Sequence, residues 1–218
     1  MAKQFDLLIF DWDGTLADST ALITRSIQAA FAEQGLPVPS QQDARFVIGY
    51  GLLQAMLHLA PELDAARLAA VVDGYKRHYL AHDQEIALFD GVLEALPLYR
   101  EAGYQLAVAT GKSRRGLDRV LQQTGLDQYF EVTRCADECH SKPHPQMLEE
   151  ILDHLDVAPG RAVMIGDTTH DLQMAINAGT AALGVSYGAH PGEDLLALAP
   201  LAMFDSFAEL DRWVRTNG

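Results

Sequence analysis

The chain is 218 residues long, 49% apolar and 8% aromatic, with 16 Lys and Arg against 30 Asp and Glu for a formal charge of -14. That apolar content is enough for a sizeable core and excludes a disordered chain, and one α/β domain carrying an insertion accounts for the length. A surface so acidic repels nucleic-acid phosphates and anionic lipid, which both depend on basic patches, so neither is expected as a partner.

Leu7-Leu8-Ile9-Phe10 is a short continuous apolar run ended by a polar, Gly-containing turn, the pattern of a strand buried on both faces of a parallel sheet. It is too short for a signal peptide or a transmembrane helix, and no other stretch approaches membrane length. With Cys135 and Cys139 the two cysteines of the chain, a reducing cytoplasm is the expected location. From about Ser19 to Asp83 helical periodicity takes over, in Leu22, Ile23, Ile27, Ala30 and Phe31 and again in Leu68, Val71, Val72, Tyr75 and Tyr79. Gly35-Leu36-Pro37-Val38-Pro39 and Pro61 punctuate it. This predicts an all-helical domain over residues 18–83, inserted into a core formed by residues 1–17 and 84–218.

Further on, apolar runs at Gln105 to Thr110, Ala162 to Gly166 and Ala181 to Val185 predict strands, with weaker signals at Phe130 to Thr133 and Leu201 to Phe204. Helical patterns separate them: Gly91 to Ala102 before Gly103, Arg114 to Thr124 before Gly125, and Pro145 to Leu155, opened by a proline suited to a first helical turn. Ser206 and Glu209 make a capping box for the last helix. Strands alternating with helices imply right-handed crossovers, hence an α/β fold with a doubly wound, Rossmann-like parallel sheet.

Ligands of such sheets bind at the carboxyl ends of the strands, so the polar residues after each apolar run identify the candidate site. After the first run come Asp11, Asp13, Gly14 and Thr15; after the second, Thr110, Gly111, Lys112 and Ser113; after the strand near residue 164, Gly166, Asp167, Thr168, Thr169, His170 and Asp171. Ser141-Lys142-Pro143-His144-Pro145 lies in a loop opening a helix. Carboxylates gathered about 4 Å apart repel by about 1 to 4 kcal/mol per pair, which a hard divalent cation and Lys142 would relieve. Mg2+ suits a site with few carboxylates that also takes a phosphate oxygen. Phosphoryl transfer is then within reach: Asp11 can attack phosphorus, Asp13 can protonate the leaving oxygen and later activate water, Asp167 would hold the metal, and Asp171, one helical turn on, would orient the metal shell or Lys142.

Asp11-Trp12-Asp13-Gly14-Thr15-Leu16, Thr110, Lys142 and Gly166-Asp167-Thr168-Thr169-His170-Asp171 resemble, in order, the four motifs of the haloacid dehalogenase-like hydrolases. The resemblance spans nearly the whole chain and includes Ala175-Ile176-Asn177-Ala178-Gly179. Asp18-Ser19, Gly49-Tyr50-Gly51 and Lys142-Pro143-His144-Pro145 are similar to the phosphoglycolate phosphatase branch. It implies a Mg2+-dependent phosphatase of a small phosphorylated metabolite, a monomer or weak dimer whose helical insertion is a cap. It also implies Asp11 as nucleophile, Asp13 as acid and base, Thr110, Gly111 and Lys142 around the phosphate, and Mg2+ on Asp11, Asp167 and the Asp13 carbonyl, with Asp171 more distant. Trp12 stands where Phe or Leu is more usual, and Asp90 where relatives often carry Pro.

The same residues admit other readings. Thr110 could cap the helix after it. Thr110-Gly111-Lys112-Ser113 imitates the end of a phosphate-binding P-loop, but the earlier glycine falls at Leu106 inside a strand, which excludes it. Gly49-Tyr50-Gly51 either lets backbone approach the pocket or breaks a helix. Cys135, Cys139, His140 and His144 lack the paired tight turns of a zinc module and read as incidental. Lys112, Arg114, Arg115 and Arg119 either attract an anionic substrate or form a solvated helix face, and His170 either faces the entrance or stands by. A phosphomutase would use the same four motifs; a dehalogenase needs neither Asp13 nor Asp167; a non-catalytic binding protein has no use for the full set.

Overall fold

A computed structural model describes residues 3–217 of the chain. Six strands, β1 (Leu7–Phe10), β2 (Gln105–Thr110), β3 (Val132–Cys135), β4 (Ala162–Gly166), β5 (Ala181–Val185) and β6 (Ala202–Phe204), form one sheet in the order β3-β2-β1-β4-β5-β6. Every pairing is parallel. Leu8, Phe10, Leu106, Val108, Val163 and Ile165 point to one face, where α5 (Val92–Glu101), α6 (Arg114–Thr124) and α10 (Phe207–Asn217) cover them. Leu7, Ile9, Ala107, Ala109, Ala162 and Met164 point to the other, under α7 (Gln146–Leu155) and α8 (Thr169–Ala178). The period of two in side-chain direction, with helices on both faces, is why each strand reads as a continuous apolar run. The short α9 (Gly192–Leu196) packs beside β5.

Four α-helices lie between β1 and α5: α1 (Thr20–Glu33), α2 (Gln41–Phe46), α3 (Leu52–Leu59) and α4 (Ala65–Leu80). They bury a cluster of their own, including Ile27, Phe31, Val47, Met56, Leu68 and Val71. Gly74 lets α4 lie close on α1, since a Cβ there would stand 3.4 Å from the Cβ of Ala30. The segments entering and leaving this group pair with each other, Asp18 N–H donating to the Ala87 carbonyl at 2.9 Å and Phe89 N–H to that of Leu16 at 3.0 Å. Among the described residues no helix is long and apolar enough to cross a membrane.

Three local expectations need correction. The third strand forms two residues later than its apolar signal at Phe130, because Leu126 and Phe130 plug the core from the turn after α6 and pairing begins with Glu131 N–H on the Leu106 carbonyl at 2.9 Å. Pro145 precedes α7 rather than occupying its first turn. Ser206 accepts from Glu209 N–H at 3.3 Å, but the Glu209 carboxylate accepts from Asp205 N–H at 2.9 Å instead of closing a capping box.

Phe31→Ala removes a ring that is 2% exposed and is expected to lower unfolding stability in urea by about 3–5 kcal/mol. Leu53→Ala, at a side chain 57% exposed, is expected to stay within about 0.5 kcal/mol of the parent. Equal effects would contradict the independent core of α1–α4.

Candidate active site

The strand order reverses between β1 and β4, which opens a crevice at their carboxyl ends. Asp11 N–H donates to the Ile165 carbonyl at 2.9 Å, so Asp11 leaves β1 beside Gly166 of β4. The chain then turns tightly: the Trp12 carbonyl accepts from Leu16 and Ala17 N–H, both at 3.0 Å, and Gly14 takes a positive φ of 83° that other residues resist. Asp167 and Asp171 come after β4, Asp171 in the first turn of α8.

Lys142 is fully buried among these carboxylates. Its Nζ lies 2.6 Å from Asp171 Oδ1, to which it donates, and 2.9 Å from Asp11 Oδ1. That second contact is an ion pair, and no other donor reaches either buried oxygen of Asp11. Asp167 Oδ1 accepts from Thr15 Oγ1 at 2.9 Å and Oδ2 from Ala189 N–H at 2.7 Å. Asp171 Oδ2 accepts from the Thr168 hydroxyl at 2.7 Å and Thr168 N–H at 3.1 Å, joining the site to the cap of α8. A Cβ on Gly188 would overlap the Asp167 carboxylate, so the backbone itself packs against that oxygen.

Oxygen atoms of Asp11, Asp167 and Asp171 lie within 4.8 Å of one another. Of these three buried carboxylates, Asp11 and Asp171 pair with the one ammonium. Burial, with the Asp171 charge added and Lys142 opposing, pushes Asp11 up to about 7, and burial together with the Asp11 and Asp171 charges pushes Asp167 well above the carboxylate range. The under-satisfied Asp11 oxygens and the all-oxygen donor set fit a hard divalent cation.

Asp13 stands apart from this group. Ser19 Oγ donates to its Oδ1 at 2.6 Å, and Lys112 Nζ donates to Oδ1 and Oδ2 at 3.0 and 3.1 Å. Lys112 also donates to Tyr79 Oη of α4 at 3.0 Å. Burial works against the Lys112 ammonium, but Asp13 and Tyr79 outweigh it and hold its pKa above the lysine range. Thr110 is fully buried, its Oγ1 accepting from Lys112 N–H at 3.2 Å, while Ser113 caps α6; the alternative of Thr110 as helix cap is thereby corrected.

The helical segment touches the sheet edge directly. A Cβ on Gly111 would stand 2.6 Å from the carbonyl oxygens of both Gly49 and Tyr50, so Gly49-Tyr50-Gly51 is a backbone approach and not a mere helix break. The Phe46 carbonyl is reached by His170 Nε2 at 2.8 Å and His190 Nε2 at 3.0 Å. Arg45 Nε donates to the Ala189 carbonyl at 3.0 Å, and Gly51 N–H to Ser141 Oγ at 2.8 Å. His170 therefore does not line an open entrance: burial beneath this contact lowers it to about 4. Nor do the basic residues after β2 form a free patch. Lys112 turns inward, Arg114 pairs with Glu138 and Asp118, and Arg119 pairs with Asp83, which leaves Arg115 as an exposed residue of α6. Cys139 Sγ meets Glu150 at 3.7 Å, and burial raises the Cys135 thiol to about 12.

Of the residues marked by the sequence motifs, Asp11, Lys142, Asp167 and Asp171 meet in one cluster. Asp13 and Thr110 are joined through Lys112, and Gly111 lies against the Gly49 and Tyr50 carbonyls. Nothing in the residue pattern assigns a supporting role to Thr15, Thr168 or Ala189 N–H, or marks His190 as a partner of the helical segment. Ser19 carries only a family likeness in the sequence, and Tyr79 only an apolar position on a helix face.

The family described as haloacid dehalogenase-like hydrolase matches residues 8–185. A protein of Dickeya dadantii named "Probable phosphatase IndB" is 36% identical over 209 residues, 94% of this chain and 91% of its own length. A phosphoglycolate phosphatase of Vibrio vulnificus is 32% identical over 222 residues, covering 95% of each chain. The crystal structure of a hydrolase from Pseudomonas syringae superposes with a TM-score of 0.88 at 18% identity, over 98% of this chain and 100% of the other, which is a likeness of fold.

The raised Asp11 carries a sign that chelated protein can report. With a folded pKa near 7 against an ordinary 3.8, the native state holds the extra proton between those values. Its contribution is complete below about pH 4 and lost as pH rises through about 7. In EDTA, Asp11→Asn is therefore expected to melt at least about 4 °C above the parent at pH 8, with the two curves converging toward pH 4. Parallel melting curves across that range would contradict it.

Proposed function

This chain belongs to the haloacid dehalogenase-like hydrolase family, and on that premise we propose that it is a Mg2+-dependent phosphatase acting on a small phosphorylated metabolite, a phosphoglycolate-like monoester, through an aspartyl-phosphate on Asp11. The observation that carries this reading is the Asp11 carboxylate. It sits at the reversal of strand order with both oxygens buried and no donor beyond the ammonium 2.9 Å away, next to two further carboxylates. A purely structural carboxylate so deep would be satisfied by hydrogen bonds.

Asp11, Asp167 and the Asp13 carbonyl would hold Mg2+, with Asp171 more distant. Bound there, Mg2+ supplies charge neutralisation for the transferring phosphoryl group. Lys142, the Thr110 hydroxyl and Gly111 N–H hold the phosphate oxygens. An Asp11 oxygen attacks phosphorus as the bond to the leaving oxygen breaks, and Asp13 gives that oxygen a proton. In the second step Asp13 takes a proton from water, the water oxygen bonds to phosphorus, and the bond from Asp11 to phosphorus breaks to release inorganic phosphate. Ser19 and Lys112 orient Asp13 for both transfers, given their contacts of 2.6 and 3.0 Å with it.

Residues 18–83 act as the cap in this scheme, and residues 1–17 with 84–218 as the catalytic core. The contacts of Gly49, Tyr50 and Phe46 with the sheet edge support a closed arrangement that keeps bulk water from the first step.

Asp11→Asn is expected to fold normally, with kcat reduced about 10³-fold or more, and EDTA is expected to stop the parent enzyme reversibly. Both are read as phosphate release from a panel of phosphorylated metabolites including 2-phosphoglycolate, sugar phosphates and nucleoside monophosphates. Retained turnover by Asp11→Asn, free of deamidated material, sinks the mechanism.

A further inference from the structure

The two lysines of the site have no partner in common. Lys142 serves Asp11 and Asp171, whereas Lys112 serves Asp13 and Tyr79. With Asp11 as nucleophile and Asp13 as acid, the phosphatase reading on which this inference rests, Lys142 is the cation of the transferred phosphoryl group and Lys112 that of the departing fragment. We propose that Lys112 and Tyr79 form a receptor for negative charge on the leaving group, so that the enzyme selects phosphate compounds whose departing fragment carries a carboxylate or a second phosphate.

The geometry sets the reach. A leaving oxygen protonated by Asp13 lies within hydrogen-bond distance of that carboxylate, and Lys112 Nζ lies 3.0 Å from the same carboxylate. The ammonium is then at most about 6 Å from the leaving oxygen, and an anionic group two or three bonds beyond that oxygen can meet it. Tyr79 Oη accepts from Lys112 at 3.0 Å, so its own proton remains available for an anion. The Tyr79 ring is steadied by Tyr75, the two stacked with centroids 5.7 Å apart. Because Tyr79 belongs to α4 and Lys112 comes just after β2, the receptor is complete only when the helical segment lies over the sheet. Lys112 has a side chain 9% exposed, while its basic neighbours Arg114 and Arg119 are engaged in ion pairs with Glu138, Asp118 and Asp83. In a chain of net charge -14, a doubly anionic substrate needs such a local cation.

The test compares kcat/KM for two substrates with anionic leaving groups, pyrophosphate and 2-phosphoglycolate, against two with neutral ones, p-nitrophenyl phosphate and glycerol 1-phosphate. Lys112→Met is expected to slow both classes but to lower the anionic-to-neutral ratio by about 30-fold or more, chiefly through KM. Lys112→Arg should restore most of the ratio, and Tyr79→Phe should lower it by about 5-fold through loss of one donor. Pyrophosphate falling further than 2-phosphoglycolate assigns the receptor to a second phosphate, and the reverse to a carboxylate. Equal loss for both classes would mean that Lys112 merely holds Asp13, and overturns the proposal while leaving the phosphatase reading intact. Should Lys112→Met fail to fold, an unchanged ratio in natively folded Tyr79→Phe overturns it as well. Parent enzyme inactive on all four compounds overturns the phosphatase reading and this inference with it.

Discussion

Everything at the site depends on one ammonium held out of water by two carboxylates on adjacent segments. Lys142 is fully buried, and so are Asp11 and Asp171. Removing such ions from water costs several kcal/mol each, which their attraction offsets only with close geometry and full hydrogen bonding. Asp171 has that support, from Lys142 and from the Thr168 hydroxyl and amide. Asp11 does not. The site therefore concentrates its unmet demand on one carboxylate, the one placed where strand order reverses.

The framework around this cluster is built to leave those carboxylates where they are. β1 and β4 carry them on neighbouring strand ends, in register from Leu7 with Ala162 to Phe10 with Ile165. Gly14 and Gly188 bring backbone against Asp167 on two sides, where a side chain would collide with it. Thr15 and Ala189 N–H hold the two Asp167 oxygens apart.

The helical segment is fastened to this rigid edge by small polar contacts rather than by a broad apolar interface. Two histidines of the core converge on one carbonyl at the end of α2, Arg45 bonds the backbone near Gly188, and Ser141 holds Gly51. Ile27, Phe31, Met56, Leu68 and Val71 are turned inward, into the α1–α4 cluster. Contacts of this kind can be released without exposing a core. The helical segment reaches the site through Tyr79, which meets Lys112, and through Ser19, which donates directly to Asp13.

Much of this is legible in the chain alone. Four buried strands announce themselves as continuous apolar runs because both sheet faces are covered, and the residues after those runs gather at the site because parallel strands all end on one edge. The third strand is displaced from its signal because an apolar residue such as Phe130 marks burial without saying whether strand or turn provides it. What the order of residues cannot state is direction in space. Lys112 looks like the start of a basic helix face, and Tyr79 like one more apolar position on α4; only folding brings them within 3.0 Å of each other. The chain by itself determined which charged and polar residues follow each strand, since that comes from local pattern. Tertiary structure alone decided how the charges pair and where the helical segment makes contact, since those depend on residues far apart in sequence meeting over the sheet.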